Sequence, residues 1–145
     1  MNLRDCITFA NENPVASIAT VERDQPRVRL FGMWFADETG FYFHTGTIKS
    51  ICKQLQSNPK VELCFYNPGD APGCGKMLRA SGVADFIDDS ALKERLFEER
   101  PFLKAIAASM SENHAVVIFR VHKGEAWFWT MEINTRESEA ERIPF

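Results

Sequence analysis

Between residues 15 and 131 the chain is a succession of strand-length apolar runs, cut by turn residues and interrupted by short helical stripes. Residues 15–22 (VASIATVE) are small and β-branched, the profile of a strand. After the turn Arg23-Asp24-Gln25-Pro26, residues 27–36 (RVRLFGMWFA) alternate: Arg27, Arg29, Phe31 and Met33 fall on one face, Val28, Leu30, Gly32 and Trp34 on the other. Asp37-Glu38-Thr39-Gly40 then turns the chain into residues 41–45 (FYFHT). Residues 61–66 and 76–87 read as two further strands, and 115–123 with 125–131 as a closing hairpin around Lys123-Gly124.

The helical stripes are short. Leu3, Cys6, Ile7 and Ala10 recur at helical spacing before Asn13-Pro14, and Ile48, Ile51, Cys52 and Leu55 do so before Asn58-Pro59. Asp88 and Asp89 stand where a helix start wants acids, ahead of Leu92, Leu96 and Phe97. Pro101 opens another helix carrying Leu103, Ile106, Ala107 and Met110. Alternating strand–helix units are absent, which excludes a doubly wound parallel sheet. The expectation is a mainly β (α+β) fold, an antiparallel barrel or sandwich of seven or so strands with helical decorations.

The chain's 145 residues suit a single domain, residues 1–145, whose core needs neither disulfide nor structural metal. No apolar run approaches the roughly 20 residues that span a bilayer, and MNLRDC does not start a signal peptide, so a cytoplasmic protein without membrane contact is expected. With a net charge of −3 and no basic stripe, nucleic acid is not an expected partner. Cys6, Cys52, Cys64 and Cys74 form no C-x-x-C pair and read as reduced, mostly buried thiols, with Cys74 between two glycines the most exposed.

Several motifs fail. Gly69, Gly73 and Gly75 precede a strand rather than a helix, the wrong order for a dinucleotide fingerprint. Gly75-Lys76 lacks the P-loop's earlier glycine, since Asp70 stands there, and Met77 replaces its Ser or Thr. His44, His114 and His122 are scattered, and no hydrolytic triad can be assembled.

One segment survives. Residues 43–50 (FHTGTIKS) lead a strand into a helix whose first turn carries Lys49 and Ser50 and no acid. A helix start bears about half a positive charge and favours acids. Free N–H groups, the Thr45 and Thr47 hydroxyls and a lysine concentrated there describe a phosphate site. The bland alternative is an ordinary threonine cap beside a solvated lysine. Arg27 and Arg29 favour the anion, because two arginines next to Phe31 on an apolar strand are costly to bury without one. The other outcome is an edge strand from which both snorkel into water.

The order and spacing of these pieces resemble the FMN-binding split barrels related to pyridoxamine 5'-phosphate oxidase. The resemblance runs from Asn13-Pro14 and Gln25-Pro26-Arg27-Val28-Arg29, through Gly40-Phe41-Tyr42-Phe43-His44-Thr45, Lys49 and Asn58-Pro59-Lys60-Val61-Glu62-Leu63-Cys64-Phe65. It continues in Arg79-Ala80-Ser81-Gly82-Val83-Ala84 and the late Phe128-Trp129-Thr130-Met131-Glu132. It implies a six-stranded antiparallel split β-barrel that forms a homodimer with FMN at the subunit interface. Arg29 and Lys49, with Ser50 or Thr47, would hold the phosphate. The segment from Arg29 to Trp34, with Leu30 and Phe31, would run along the flavin, His44 and Thr45 would contact it, and Trp129 would approach from the other subunit. The implied activity is that of an oxidoreductase on a small-molecule substrate.

Two departures argue against pyridoxamine phosphate as that substrate. Trp34 or a neighbour stands where the oxidase has a flavin-contacting lysine, and residues 130–136 (TMEINTR) lack its late Arg-x-His. The oxidase's Ser-Arg-Lys at the helix start is also reduced to Lys49-Ser50. The same residues would serve a non-catalytic flavin carrier or electron-transfer protein, or a related barrel using deazaflavin or haem or reducing nitroimidazoles.

Overall fold

The computed structural model describes residues 1–145. Four helices, α1 (Leu3–Glu12), α2 (Ser50–Ser57), α3 (Ser90–Glu99) and α4 (Phe102–Ser109), surround eight strands. The strands are β1 (Val15–Glu22), β2 (Gln25–Gly32), β3 (Phe35–Asp37), β4 (Gly40–Gly46), β5 (Lys60–Asn67), β6 (Lys76–Ile87), β7 (Val116–Thr130) and β8 (Ile143–Pro144). All pairings are antiparallel, in the order β2-β1-β5-β6-β7-β4-β3, with β8 on β7. The sheet therefore has eight strands rather than six, and no ladder joins its two ends into a closed barrel.

Two sequence expectations need correction. The run 27–36 is not one strand: β2 pairs with β1, whereas β3 pairs with β4 at the opposite end of the sheet. The crossing falls at Met33 and Trp34, where Met33 N–H donates to Pro14 O at 2.7 Å and Trp34 N–H to Tyr42 O at 2.8 Å. The alternation slips there: Met33 and Ala36 face the main core, while the adjacent Trp34 and Phe35 both pack against the second cluster.

The expected hairpin at Lys123-Gly124 is instead a bulge inside the single strand β7. Both halves of β7 pair with β6, with Ser81 opposite Glu125 and Val83 opposite His122, so Lys123 and Gly124 together face Gly82. Lys123 adopts φ 53°, and a Cβ on Gly124 would lie 1.8 Å from Ser81 O. A positive φ beside a glycine suits a tight turn and a bulge equally well.

Phe41, Phe43, Phe65, Phe119, Leu63, Leu78 and Ile18 fill the main core, closed by Cys6 and Ala10 of α1. Asn2 and Asp5 form a capping box that starts α1. Alternation sends Tyr42 of β4 and Val116 and Ile118 of β7 to the other face, where Leu96 of α3 and Leu103 of α4 cover them. This second cluster fixes α3 and α4 beside the end of β4. Cys6 and Cys52 are buried, Cys64 is half-buried and Cys74 is exposed. No helix is long and apolar enough to cross a membrane.

Candidate functional site

A cavity of about 420 Å3 opens where β2, the end of β4, the start of α2 and helix α4 converge. Its apolar wall includes Leu30, Phe31, Phe102, Leu103, Ile106 and Met110. Its polar groups come from His44, Thr45, Lys49, Arg100 and His114.

Helix α2 supplies the cationic end. Its cap is Lys49 rather than a threonine; it has no side-chain cap bond and no acid in its first turn. The leading N–H groups of such a helix have no intrahelical partner. Lys49 itself is exposed, with Nζ 5.9 Å from the Phe31 ring centroid, and Ser50 is the first helical residue. Thr47 does not cap the helix: its Oγ1 accepts from Ala115 N–H at 2.9 Å and donates to Asn113 O at 3.3 Å.

Arg29 stands apart from the cavity lining. Nη1 donates to Ile18 O at 3.2 Å and Thr20 Oγ1 at 2.8 Å, and Nη2 donates to Gln54 Oε1 of α2 at 2.5 Å. All three acceptors are neutral and no carboxylate pairs with its charge; burial, then the nearby Arg27 charge, lower its pKa. Arg27 is a surface residue, paired with Glu22 at 3.1 Å.

At the other end, Arg100 closes α3 and donates from Nη1 to His44 Nε2 at 2.8 Å and from Nη2 to Met33 O at 3.2 Å. His44 is depressed to a pKa of about 4, by burial first and then by the Arg100 and Lys49 charges. A neutral imidazole accepting at Nε2 carries its proton on Nδ1. Trp34 does not line the cavity: its Nε1 donates to Glu99 at 2.6 Å, and the Arg95 guanidinium lies 5.1 Å from its ring centroid.

In two lining residues a side-chain polar atom, Thr45 Oγ1 and His114 Nε2, is buried without a hydrogen-bond partner in the protein. Leaving such groups unpaired costs about 1–3 kcal/mol each; His114 Nε2 faces Gly46, where a Cβ would be 2.2 Å away. The sequence analysis found Leu30, Phe31, His44, Thr45 and Lys49, which the fold brings together. It missed Arg100 as a site residue and found no role for His114, because both sit in connections with no periodic pattern. Trp129 is half-buried opposite Met77, 13 residues beyond Val116, at the far end of β7 from the cavity.

The antiparallel sheet with its short flanking helices is that of a β protein of the split-barrel class, and its cavity lies beside a cationic, uncapped helix start. The chain belongs to the pyridoxamine 5'-phosphate oxidase family, whose defining pattern matches residues 4–129. It is 31% identical over 108 residues to the pyridoxine/pyridoxamine 5'-phosphate oxidase of Haemophilus influenzae, covering 74% of this chain but only 49% of that relative. The chain thus spans about half the length of that relative. A NimC/NimA family protein from Clostridium acetobutylicum superposes with a TM-score of 0.73 at 29% identity, over 97% of this chain and 91% of that one. The fold is shared more remotely, with TM-scores of 0.66, by a FAD-binding protein from Mesorhizobium loti (13% identical, 87% and 94% covered) and a haem storage protein from Vibrio cholerae (16% identical, 90% and 95% covered).

Proposed function

We propose that this chain is an FMN-binding oxidoreductase of a small-molecule substrate, working as a homodimer. The observation that carries the cofactor assignment is the start of α2: uncapped, without acids, headed by Lys49 and opening on a cavity with unpaired Thr45 and His114 atoms. A phosphate monoester satisfies the free N–H groups and the lysine together. The cavity, at about 420 Å3, falls in the size range of small-molecule sites. Its Phe31, Phe102 and Ile106 wall suits a planar aromatic ring. Arg29, uncompensated by any carboxylate and tied to α2 through Gln54, adds positive potential behind the phosphate.

Bound FMN would supply hydride or electron transfer, which protein side chains lack. The chain's own part is to hold the phosphate at α2, to keep His44 neutral against Arg100, and to exclude water with α4. Homodimerisation is supported by the outer face of the edge strand β2, where Val28 and Leu30 are 70% and 72% exposed beside exposed Ile48 and Phe102. A second copy on that face would bring its own Trp129 towards the ring. Pyridoxamine phosphate is a poor candidate substrate, because Trp34 is committed to Glu99 and Arg95 outside the cavity.

Titration with FMN and riboflavin, followed by flavin fluorescence, tests the assignment. Combined Arg29→Ala and Lys49→Ala should weaken FMN at least about tenfold, from the lost Lys49 contact and the lost positive potential of Arg29, and leave riboflavin nearly unaffected. A wild-type protein that takes up no FMN would sink the proposal. Flavin-dependent oxidation of a reduced nicotinamide in the presence of an electron acceptor separates an enzyme from a carrier.

A further inference from the structure

We propose that the substrate of this cavity is a small organic acid with an apolar or aromatic body, and that Arg100 sets this specificity by binding its carboxylate; calling the acid a substrate rests on the flavin-dependent reading above. The lining of the cavity holds Lys49 and Arg100 but no Asp or Glu. A cleft with two cations and no anion of its own draws in negative charge. Four arginines of the chain are half-buried. Arg79 is paired with Glu62 and Glu137, and Arg120 with Asp85, whereas Arg29 and Arg100 touch only neutral acceptors. Of these four, Arg100 alone lines the cavity. The adjacent Glu99 does not neutralise it, being engaged by Arg95 at 2.9 Å and Trp34 at 2.6 Å.

Arg100 is held firmly for this role and is left with donors to spare. Its N–H caps α3 by donating to Leu96 O at 2.8 Å, and its carbonyl accepts from Leu103 N–H at 3.0 Å as α4 begins. Leu96 and Leu103 are buried in the second cluster, so the backbone that carries the guanidinium is anchored. Nη1 and Nη2 each direct one N–H to a neutral acceptor, His44 Nε2 and Met33 O. A guanidinium has five N–H groups. The Nε–H of Arg100 has no partner in the protein and, unlike His114 Nε2, is not sealed from solvent. His44, accepting at Nε2, carries its proton on Nδ1, and that N–H is also unpartnered and open. A cationic fork beside a neutral N–H donor matches a carboxylate, whose two oxygens can accept from both. Phe102, Leu103 and Ile106, which follow Arg100 on α4, supply the wall for an apolar body.

The test uses the FMN-loaded full chain, with benzoate and its neutral counterpart benzamide as probes in calorimetry. Wild type should bind benzoate about ten- to hundredfold more tightly than benzamide, the worth of a hydrogen bond to a charged group. Arg100→Gln keeps a donor towards His44 but no charge, and should bind the two probes equally. Arg100→Lys restores the charge without the fork and should recover part of the preference. Equal binding of the probes by wild type, no binding of benzoate at millimolar concentration, or a preference that survives Arg100→Gln overturns the proposal. An Arg100→Lys protein that prefers benzoate no more than Arg100→Gln does also overturns it, since the role of Arg100 would then be structural. A loss of FMN affinity without loss of riboflavin affinity in Arg100→Gln would assign Arg100 to the phosphate and overturn it equally. The flavin reading fails separately: a wild-type chain that takes up no FMN, yet prefers benzoate through Arg100, loses the cofactor and keeps the acid site.

Discussion

Replacing Gly46 with alanine places a methyl carbon 2.2 Å from His114 Nε2 and 3.2 and 3.3 Å from the ring carbons Cδ2 and Cε1. Gly46 is not among the residues with positive φ, so alanine meets no backbone strain and the cost is purely steric. Unstrained contacts between such atoms begin near 3.5 Å, so the imidazole must retreat by more than about 1 Å. It can swing within the cavity, or it can carry its turn away from Thr47 and loosen the three bonds that hold Asn113 and Ala115. Overpacking of this kind costs about 1–3 kcal/mol. At this chain length each kcal/mol moves the melting temperature by about 2–4 °C, so Gly46→Ala should melt about 2–12 °C below wild type.

Thermal unfolding followed by circular dichroism measures this, and a double-mutant cycle isolates the cause. Gly46→Ala with His114→Ala removes the clash and should melt above Gly46→Ala alone, with a coupling of about 1 kcal/mol or more. A Gly46→Ala protein that melts with wild type would refute the steric argument. Failure of His114→Ala to recover stability would refute the identity of the clashing partner.

Other expectations follow from the same geometry. His44 has a folded pKa of about 4 against an ordinary 6.5, so the fold favours its neutral form. The stability this contributes is fully present above pH 6.5 and is lost as pH falls from there to about 4; urea midpoints across that window, against His44→Gln, should show it. Arg100→Leu removes one of the two charges acting on His44, and NMR titration should find its pKa raised from about 4. Gly124→Ala drives a Cβ to 1.8 Å from Ser81 O, a backbone atom in the paired strand, and should cost more than a flexible side-chain clash, at least about 3 kcal/mol. A melting temperature within a few degrees of wild type would mean that β7 does not run continuously past β6 there. Leu96→Ala, at a fully buried position in the cluster under α3 and α4, should cost about 2–5 kcal/mol in denaturant unfolding.

Much of this architecture was legible because strand and helix periods are local. Val15–Glu22 and Lys76–Ile87 carry their strand signature in their own residues, and Asp89 announces α3 by bonding Leu92 N–H at 3.0 Å. Pairing partners are not local. The alternation of 27–36 is indifferent to whether Trp34 faces β1 or β4, and Lys123-Gly124 reads the same in a hairpin as in a bulge. Arg29 followed the same limit: its period placed it on the inner face, but Thr20 and Gln54, the residues it meets, are 9 and 25 positions away. Phe41, Phe43, Phe65 and Phe119, at most 1% exposed, belong to the chain's own core.

The deviations from local rules are the more informative part. A well-adapted sequence caps its helices, neutralises its half-buried cations and pairs its buried polar atoms, and departures concentrate where function imposes them. In this chain α1 has a capping box and α3 an aspartate cap, whereas α2, headed by Lys49, and α4, headed by Pro101, have no cap bond. Arg79 is neutralised by Glu62 and Glu137, whereas Arg29 touches only neutral acceptors. Three buried side-chain polar atoms lack a partner, and two of them, Thr45 Oγ1 and His114 Nε2, belong to residues lining the cavity that α2 opens onto. Each departure alone has a bland explanation. The uncapped helix and the two orphaned atoms meet at one end of β4 beside the cavity, while Arg29 lies behind α2 through Gln54, and it is on this grouping that the proposed flavin site rests.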